Sequence, residues 1–523
     1  MKRIKVRIEH KKNIVTLEAF KGKQLKGVLS DAGFDVSYPC GGAGRCGKCR
    51  VRFAEGAPAP NTLDKTFLSE KDIACGVRLL CRCSLETDCS VCIDDSSLVE
   101  EDIVAETAKS VAGSGAYDKY GIAVDIGTTT IAAALVGVSD EGEKEILHTA
   151  SCVNHQRRVG ADVISRIAYA SGAGQDINAN NLEELKDIVR KDISGLITDL
   201  TAGLEEKAGG DISQIVVTGN TTMLHIFRGL DVEGLGKYPY TPVDNNVYET
   251  EMFGSDFVTM PGISAFVGAD IVAGIYYSEI INKDNKKKLL LDLGTNGEMA
   301  FFDGKDLKVT STAAGPVFEG GTISCGVASV PGAVCHVDIT GESERGFLTN
   351  TATIAGKAPI GLCGTGVMEA VSELIRNGIV DKSGLLSDEF FDRGFALTDD
   401  GRITVTQQDI RNIQLAKGAV YTGLKELVGR DAPDKVYIAG GFGSNLDYER
   451  IRSIKLFPDS FSGETVSIGN SSLKGAVKLL SEILLGRKEE ALFDINKIKE
   501  CATEIILANN EDFDDSFVDA MNF

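Results

Sequence analysis

Alternating apolar and charged residues open the chain. Ile4, Val6 and Ile8 alternate with charged residues in RIKVRIEH, and NIVTLEAF follows at once, so the two stretches are predicted to form a β-hairpin. GKQLKGVLSDAGF, residues 22–34, predicts a helix, and CRVRFAEG, residues 49–56, predicts a further strand. The first part of the chain is therefore predicted to be a small α+β unit.

A cysteine-rich loop interrupts this pattern in YPCGGAGRCGKCRVRF, residues 38–53. Cys40, Cys46 and Cys49 could form disulfides, hold a structural zinc ion or ligate an iron–sulfur cluster. Zinc favours paired Cys-x2-Cys knuckles, and only one half of such a pair is present. Plant-type [2Fe–2S] ferredoxins use Cys-x4-Cys-x2-Cys with a remote fourth cysteine. The first gap here is one residue longer, and the glycines would let the backbone approach a cluster closely.

The composition limits the setting in which this loop works. The chain has 523 residues and a net charge of −21, and the negative charge argues against a nucleic-acid partner. The N-terminus lacks the apolar core of a secretory signal, and no apolar run approaches membrane-spanning length. A cytoplasmic protein with no membrane partner is expected, and in that compartment cysteines stay reduced and more often bind metal than form disulfides.

The cysteines also divide the chain. Eight of the thirteen lie before residue 93, which marks residues 1–95 as a metal-binding domain. The acidic stretch rich in small residues, 96–118, is predicted to be a linker, and 119–523 a second domain. The early cysteines outside the cluster, Cys75, Cys83, Cys89 and Cys92, could form a second metal site. The favoured interpretation is that Cys89 and Cys92, in the short apolar strand CSVCI, pack as small hydrophobic residues.

Two strand–turn–strand segments of the second domain carry the same motif. YGIAVDIGTTTIAAALVGV turns after Asp125, and KKLLLDLGTNGEMAFF turns after Asp292. Such a turn can offer backbone N–H groups and threonine hydroxyls to a phosphate, while the aspartate holds Mg²⁺ or its waters. One copy is weak evidence. Two copies are what a duplicated nucleotide-binding fold would place on opposite sides of one triphosphate.

Two glycine-rich turns complete the predicted nucleotide site. KVYIAGGFGSNLD is a strand ending in glycines that could approach adenosine, and IGLCGTGVMEAVSEL leads from a strand into a helix N-terminus that suits an anion. The predicted nucleotide-binding residues are Gly127, Thr128, Thr129, Thr130, Gly294, Thr295, Gly297, Gly364, Thr365, Gly440, Gly441, Phe442 and Gly443. The side chains predicted to hold Mg²⁺ or to orient water for hydrolysis are Asp125, Asp292, Asn296 and Glu298.

Along the chain the four elements follow the order first phosphate turn, second phosphate turn, connecting turn and adenosine turn, and in that order they resemble the actin, sugar kinase and Hsp70 superfamily. The resemblance implies a two-lobed α/β ATPase of ribonuclease H-like topology, with lobes at about 119–285 and 286–523 around an ATP cleft. GVRLLC, residues 76–81, resembles the segment that carries the last ligand of β-grasp [2Fe–2S] ferredoxin domains. That resemblance implies Cys81 as the fourth ligand beside Cys40, Cys46 and Cys49.

Together the two domains resemble the reductive activators of corrinoid-dependent methyltransferases. Besides the cysteines and phosphate loops, the matching stretches are GADVISRI, TGNTTMLHIFRG, DIRNIQLAKGAVYTGL, GGFGSNLD and SIGNSSLKGA. The resemblance implies ATP-dependent transfer of an electron from the cluster to the Co(II) corrinoid of a partner protein, restoring Co(I), with a low-potential electron donor upstream. It allows a homodimer, although the phosphate loop follows the linker directly and leaves no room for the extra middle domain of longer relatives, which weakens that inference.

Two other functions stay open at this point. An ATP-driven activator could pass its electron to another low-potential metalloenzyme, although such activators of radical dehydratases lack this ferredoxin module. A non-catalytic nucleotide switch could use the ferredoxin domain only to sense redox state. Two smaller expectations are structural: Ile410, Ile413, Leu415 and Ala416 face the core, and His155 packs or is solvated and does not touch a substrate.

Overall fold

Three sheets of five or six strands dominate the part of the chain that the structure describes. The structure is a computed structural model. It describes residues 2–11, 13–34, 47, 49–93, 117–172, 181–202, 211–282, 284, 286–343, 346–440, 447–510 and 512–523.

The first sheet belongs to the cysteine-rich domain. Its elements are β1 (Arg3–His10), β2 (Asn13–Phe20), α1 (Leu25–Asp31), β3 (Arg50–Glu55), α2 (Thr62–Phe67), α3 (Glu70–Ala74), β4 (Val77–Leu79) and β5 (Cys89–Cys92). The strand order is β2-β1-β5-β3-β4. β1 and β2 pair antiparallel, which confirms the predicted hairpin, and Ile4, Val6 and Ile8 are buried, as the alternation predicts. β1 and β5 pair parallel, which brings the end of the domain back to its start.

The second sheet forms the first lobe of the larger domain. Its elements are β6 (Lys119–Ile126), β7 (Thr130–Val138), β8 (Lys144–Val153), α4 (Val163–Ala170), α5 (Asn181–Thr201), β9 (Ile212–Gly219), α6 (Thr221–Arg228), β10 (Tyr248–Met252), β11 (Ser255–Thr259) and α7 (Ala269–Ser278). The strand order is β10-β11-β9-β6-β7-β8. β6, β7 and β8 pair antiparallel, β9 runs parallel to β6, and β11 runs parallel to β9.

The third sheet forms the second lobe. Its strands, with those of two small accessory sheets, are β12 (Lys288–Leu293), β13 (Gly297–Phe302), β14 (Leu307–Thr312), β15 (Ala333–Ser343), β16 (Gly346–Thr353), β17 (Gly361–Leu362), β18 (Phe395–Ala396), β19 (Thr404–Val405), β20 (Lys435–Gly440), β21 (Glu464–Gly469) and β22 (Ala502–Glu504). The helices that follow α7 are α8 (Gly364–Arg376), α9 (Asp388–Phe391), α10 (Gln407–Val428), α11 (Tyr448–Ser453), α12 (Ser471–Leu484), α13 (Lys488–Cys501) and α14 (Phe513–Ala520). The order of the large sheet is β21-β20-β12-β13-β14-β22.

The two large sheets repeat one pattern. In each sheet, the strand that ends in the repeated Asp-x-Gly-Thr turn is the first of three antiparallel strands. Two further strands, parallel to that first strand, extend the sheet on its other side. β20 thus occupies beside β12 the place that β9 occupies beside β6. This is the internal duplication that the repeated motif predicted.

Two helices from the end of the chain pack against the first lobe, in a buried cluster that also includes Leu290 and Phe302 of the third sheet. Leu479 and Leu480 of α12, and Ile495 of α13, belong to the same buried cluster as the strands of the second sheet. α12 lies directly against α7. Within residues 286–523 the chain therefore packs against the first lobe after β21, and the lobe bounds remain a prediction.

α10 confirms the predicted amphipathic helix with one exception. Ile410, Ile413 and Ala416 are at most 1% exposed, whereas Leu415 is 47% exposed. The prediction for Leu415 was wrong because five residues turn a helix by about 500°, which places this side chain well away from the face shared by its three neighbours. In the described ranges, no helix is both long and apolar enough to cross a membrane.

The contact between α7 and α12 yields a prediction about helix glycines. A Cβ at Gly475 of α12 would lie 2.2 Å from the carbonyl oxygen of Ala273, whereas a Cβ at Gly195 of α5 meets nothing within 4 Å. Gly475→Ala is expected to lower the free energy of unfolding by about 1–3 kcal/mol through overpacking. Gly195→Ala is expected to raise it by about 0.5–1 kcal/mol through backbone entropy. Urea denaturation of both variants checks the pair, and equal effects of one sign would contradict the packing.

Candidate functional site

The two Asp-x-Gly-Thr turns lie at the carboxyl ends of β6 and β12, which are inner strands of the two large sheets. Asp125 lies at the end of β6 and Asp292 at the end of β12. Glu298 stands opposite Asp292 in the antiparallel pairing of β12 and β13. Asn296, in the turn, donates its side-chain N–H to Glu298 Oε1 at 3.0 Å. The structure thus brings the four side chains predicted for Mg²⁺ binding and hydrolysis to the ends of the two repeated hairpins.

Glu319 joins the two hairpins. Its Oε2 accepts a hydrogen bond from Thr129 Oγ1 of the first turn at 3.3 Å and from Thr295 Oγ1 of the second turn at 3.0 Å. Sequence reasoning missed this residue. A sequence signal for Glu319 is present in GPVFEGG, where an acidic side chain lies between turn-forming residues. Gly320, which follows it, has φ +80°, and a Cβ there would lie 2.3 Å from the carbonyl oxygen of Val327.

Five carboxyl groups assemble around these turns: Asp125, Asp270, Asp292, Glu298 and Glu319. Burial, with the negative charges of Asp270 and Asp125, raises the pKa of Asp292 to about 8. Burial is also the first cause that raises the pKa of each of the other four carboxyl groups. Asp270 begins α7, and sequence reasoning missed it too. Crowded acidic groups with raised pKa values are typical of a place suited to a cation.

The first turn of α12 holds both aspartates. Asn470 Nδ2 donates to Asp125 Oδ2 at 2.9 Å, and Ser472 Oγ donates to Asp125 Oδ1 at 2.9 Å. Ser471 Oγ reaches Asp292 Oδ2 at 3.4 Å. The stretch SIGNSSLKGA therefore lies between the two hairpins and fixes the aspartate of each.

Three side chains hold the first Asp-x-Gly-Thr turn, the predicted first phosphate loop, through hydrogen bonds to Gly127 and Thr128. Asn154 Nδ2 donates to the carbonyl oxygen of Gly127 at 2.9 Å, and Asn220 Nδ2 donates to Thr128 Oγ1 at 3.0 Å. Arg166 is fully buried and donates to the carbonyl oxygen of Thr128. Burial lowers the pKa of Arg166 to about 9. Arg166 belongs to the stretch GADVISRI and Asn220 to the stretch TGNTTMLHIFRG, so both stretches help to position the first turn.

The predicted glycines approach the same region closely. A Cβ at Gly364, at the start of α8, would lie 1.8 Å from the carbonyl oxygen of Phe318, so α8 begins against the turn that carries Glu319. Gly440 ends β20 with φ +113°, and its Cβ would lie 3.2 Å from Asp292 Oδ1. Thr365 is buried beside Gly364.

The remaining predicted residues fall in three groups. Gly127 and Thr130 close the first turn, where a Cβ at Gly127 would lie 2.5 Å from the carbonyl oxygen of Thr130. Gly294 and Gly297 flank the second turn, with the N–H of Gly294 bonded to the carbonyl oxygen of Asn296 at 2.9 Å. The predicted adenosine residues Gly441, Phe442 and Gly443 lie outside the described residues.

Two of the four predicted cluster ligands lie in the described residues. Cys49 is buried just before β3, and its carbonyl oxygen accepts the N–H of Leu80 at 2.8 Å, so Cys81 follows on the neighbouring turn. Gly47 has φ +64°, and a Cβ there would lie 2.7 Å from Phe67 Cβ, so only glycine fits at this point of the loop. Cys40 and Cys46 lie outside the described residues.

The other early cysteines differ in their surroundings. Burial raises the pKa of Cys83 to about 12 and that of Cys89 to about 11, and both belong to the core of the first domain. Cys75 is exposed and Cys92 is partly exposed. Within the described ranges, no group of three His, Cys, Asp or Glu side chains is arranged to hold a metal ion.

The cysteine-rich domain contacts the first lobe beside Cys81. The ammonium group of Lys26 lies 4.9 Å from the ring centre of Tyr169 in α4. Tyr169 Oη donates to Glu184 Oε2 at 2.6 Å, and Arg158 Nη2 donates to Glu184 Oε1 at 3.2 Å. Burial lowers the pKa of Lys26, while Glu184 and Cys81 both act to raise it. Lys26 thus lies between a predicted cluster ligand and the first lobe.

His155 has a structural role in the described contacts. Its Nδ1 lies 2.8 Å from Asp192 Oδ1, and its backbone N–H donates to Asp192 Oδ2 at 3.0 Å. Both contacts fix the start of the short 3-10 turn His155–Arg158 on α5. This agrees with the expectation that His155 packs against its neighbours.

Family models cover nearly the whole chain. Residues 286–523 match the model described as the C-terminal domain of RACo, the ASKHA domain, and residues 120–283 match the RACo middle region. Residues 8–86 match the 2Fe-2S iron–sulfur cluster binding domain. The segment that the middle-region model describes is thus the first lobe itself. The chain therefore has the family's middle region, although the sequence led us to expect no room for a middle domain.

Curated relatives extend over three quarters of the chain. A corrinoid activation enzyme, RamQ, from Eubacterium limosum is 33% identical over 76% of this chain and 69% of its own length. A [Co(II) methylated amine-specific corrinoid protein] reductase from Methanosarcina barkeri is 25% identical over 77% of each chain.

A solved structure matches along almost the full length. A reductive activator for corrinoid, iron–sulfur protein superposes with a TM-score of 0.66 at 28% identity and covers 99% of this chain and 98% of its own. The predicted fold, a [2Fe–2S] ferredoxin-type domain followed by an actin-like ATPase domain, is confirmed. The chain belongs to the family of reductive activators of corrinoid proteins.

Proposed function

We propose that this chain uses ATP to transfer one electron from its [2Fe–2S] cluster to the Co(II) corrinoid of a partner protein, which yields Co(I). One observation carries the proposal: the ferredoxin-type domain contacts, at Lys26 and Tyr169, the same lobe that supplies Asp125 to the paired phosphate hairpins. The printed names of the relatives support the corrinoid acceptor. The oxidised cluster is then reduced again by a low-potential donor.

A conformational change driven by ATP can supply the free energy that this electron transfer requires. A tenfold change in a one-electron equilibrium corresponds to about 59 mV, so raising an electron by about 200 mV requires about 5 kcal/mol. A conformational equilibrium that moves from 1:99 to 99:1 involves about 5.5 kcal/mol. Closure of two lobes around a nucleotide can therefore drive an electron transfer of this size.

We propose that the carboxyl cluster takes Mg²⁺ together with the phosphates of ATP. Mg²⁺ keeps several waters and uses one or two carboxylates plus phosphate oxygens, which suits the aspartates at the ends of β6 and β12. Thr218 supports this fit: it pairs with Asp125 across β9 and β6, and its buried Oγ1 has no partner among the described residues. Asp125 and Asp292 would hold the ion, and Asn296 and Glu298 would orient water.

The remaining assignments extend the same proposal. Cys40, Cys46, Cys49 and Cys81 would ligate the cluster, and the predicted glycines and threonines would bind the nucleotide, with adenosine at residues 440–443. Domain boundaries at 95 and 119 and a cytoplasmic setting follow from the sequence and remain predictions. So does a homodimer as the oligomeric state.

The function is tested with the full chain, a low-potential reductant, Mg²⁺, ATP and a purified corrinoid protein in the Co(II) state. Loss of the Co(II) electron paramagnetic resonance signal is expected only with ATP. Cys49→Ser is expected to reduce the rate to background, because a buried ligand of the cluster is lost. Cys75→Ser, which changes an exposed cysteine, serves as the control. ATP-dependent reduction that survives in Cys49→Ser would contradict the electron-transfer role.

The choice of Cys81 and not Cys83 as the fourth ligand is a separate prediction. The choice follows from the resemblance of GVRLLC to the segment that carries the last ferredoxin ligand, and Cys81 is partly exposed whereas Cys83 belongs to the core of the first domain. Cys81→Ser is expected to remove the visible absorption of the cluster and most of the bound iron, whereas Cys83→Ser keeps both. Absorption spectra and iron-to-protein ratios measure this. Loss of iron in Cys83→Ser, with Cys81→Ser unaffected, would reverse the assignment.

The raised pKa of Asp292 predicts a pH dependence of stability. A carboxyl group whose pKa rises to about 8 on folding binds more protons in the folded state, so it destabilises the nucleotide-free protein increasingly as pH rises from about 4 to 8. In EDTA, Asp292→Asn is expected to raise Tm by at least about 2 °C at pH 8.5 and by less at pH 5. Calorimetric scans at both pH values measure the difference, and a larger gain at pH 5 would show the opposite sign.

A further inference from the structure

Three arginines surround the first phosphate loop, and they differ in their partners. Arg166 donates to the carbonyl oxygens of Thr128 and Gly160 and to the side chain of Gln156. Arg158 donates to Glu184 on the outer side of the lobe. Arg157, between them in the turn His155–Arg158, has a buried Nη1 with no hydrogen-bond partner among the described residues.

The turn that carries Arg157 is fixed to the first phosphate loop. The N–H of Arg157 donates to the carbonyl oxygen of Asn154 at 3.0 Å. Asn154 itself is bonded to that loop twice, because its side chain donates to the carbonyl oxygen of Gly127 at 2.9 Å and its backbone N–H donates to that of Thr129 at 2.9 Å. The backbone at residue 157 is therefore held next to the loop.

The guanidinium of Arg157 acts on the point where the two hairpins meet. Its positive charge is a cause that lowers the pKa of Glu319, the carboxylate shared by Thr129 and Thr295. By contrast, the charges that act on Asp292 come from other carboxylates. A triphosphate that enters this acidic region brings more negative charge, and Arg157 is placed to offset part of it.

We propose that Arg157 donates hydrogen bonds to the terminal phosphate of ATP, a role that rests on the proposed function. A buried guanidinium N–H without a partner is energetically costly, and a phosphate oxygen is the acceptor that suits its planar geometry best. The position along the triphosphate follows from the fold. Gly440, where the predicted adenosine loop begins, belongs to the second lobe, so the phosphate chain runs from there towards the first lobe and Arg157.

The test compares ATP with ADP in the full chain. Binding of Mg²⁺ with ADP, and of Mg²⁺ with an imido analogue of ATP, is measured by calorimetry for the parent, Arg157→Gln, Arg157→Lys and Arg158→Gln. Arg157→Gln is expected to weaken binding of the ATP analogue by about 10- to 100-fold and that of ADP by less than about threefold. Arg157→Lys is expected to recover part of the loss, and Arg158→Gln is expected to leave both affinities near the parent values.

The outcomes separate this role from a structural one and from the proposed function. Equal weakening of both nucleotides by Arg157→Gln, or no weakening of either, would overturn the contact with the terminal phosphate. If Arg157→Gln does not fold, as judged by its thermal unfolding, the ratio of ATP-analogue to ADP affinity in Arg157→Lys decides, and a parent-like ratio overturns the role. A parent chain that binds neither nucleotide would contradict the proposed function. If the parent binds both nucleotides, a changed affinity in the variant reports on Arg157 alone.

Discussion

One carboxylate, that of Glu319, is bonded to the threonine hydroxyls of both phosphate hairpins, and the organisation of the larger domain depends on this junction. The two hairpins come from separate sheets, so the junction sets the distance between the lobes. α12 adds a second link, since Asn470 and Ser472 bond Asp125 while Ser471 reaches Asp292. In the proposed function, phosphates that bind the two turns would compete with Glu319 for the threonine hydroxyls. Nucleotide binding would then act on the bonds that join the lobes.

Local motifs predict the two hairpins well because each motif contains its own turn. The stretches at Asp125 and Asp292 combine a buried strand, a glycine turn and hydroxyl side chains within a few residues, so the sequence predicts both hairpins and their duplication. Gly440 and Gly364 follow the same logic, because the close backbone approaches they make leave no room for a Cβ. Cys89 is buried, as its apolar strand predicted, whereas Cys92 in the same strand is partly exposed.

What sequence reasoning missed depends on contacts between distant segments. Glu319 meets Thr129 across 190 positions, and Asn470 meets Asp125 across 345, so no local pattern reveals either pair. The return of α12 to the first lobe has the same origin, because an amphipathic helix does not specify which sheet it covers. The contact between Lys26 and Tyr169 belongs to this class, since it joins two domains that are separated by the predicted linker.

The turn His155–Arg158 shows how the nucleotide could affect the cluster without any long rearrangement. Asn154, directly before it, is bonded to the first phosphate loop, and Arg158 at its end is bonded to Glu184, whose charge acts on Lys26 beside Cys81. A contiguous path is not coupling by itself, because both ends must bias one two-state element. The junction at Glu319 is the candidate for that element, since a phosphate that takes the threonine hydroxyls removes the bonds that hold the hairpins together. In the proposed function, ATP thus acts at the junction between the lobes, and its effect reaches the ferredoxin-type domain where Lys26 contacts Tyr169 of α4.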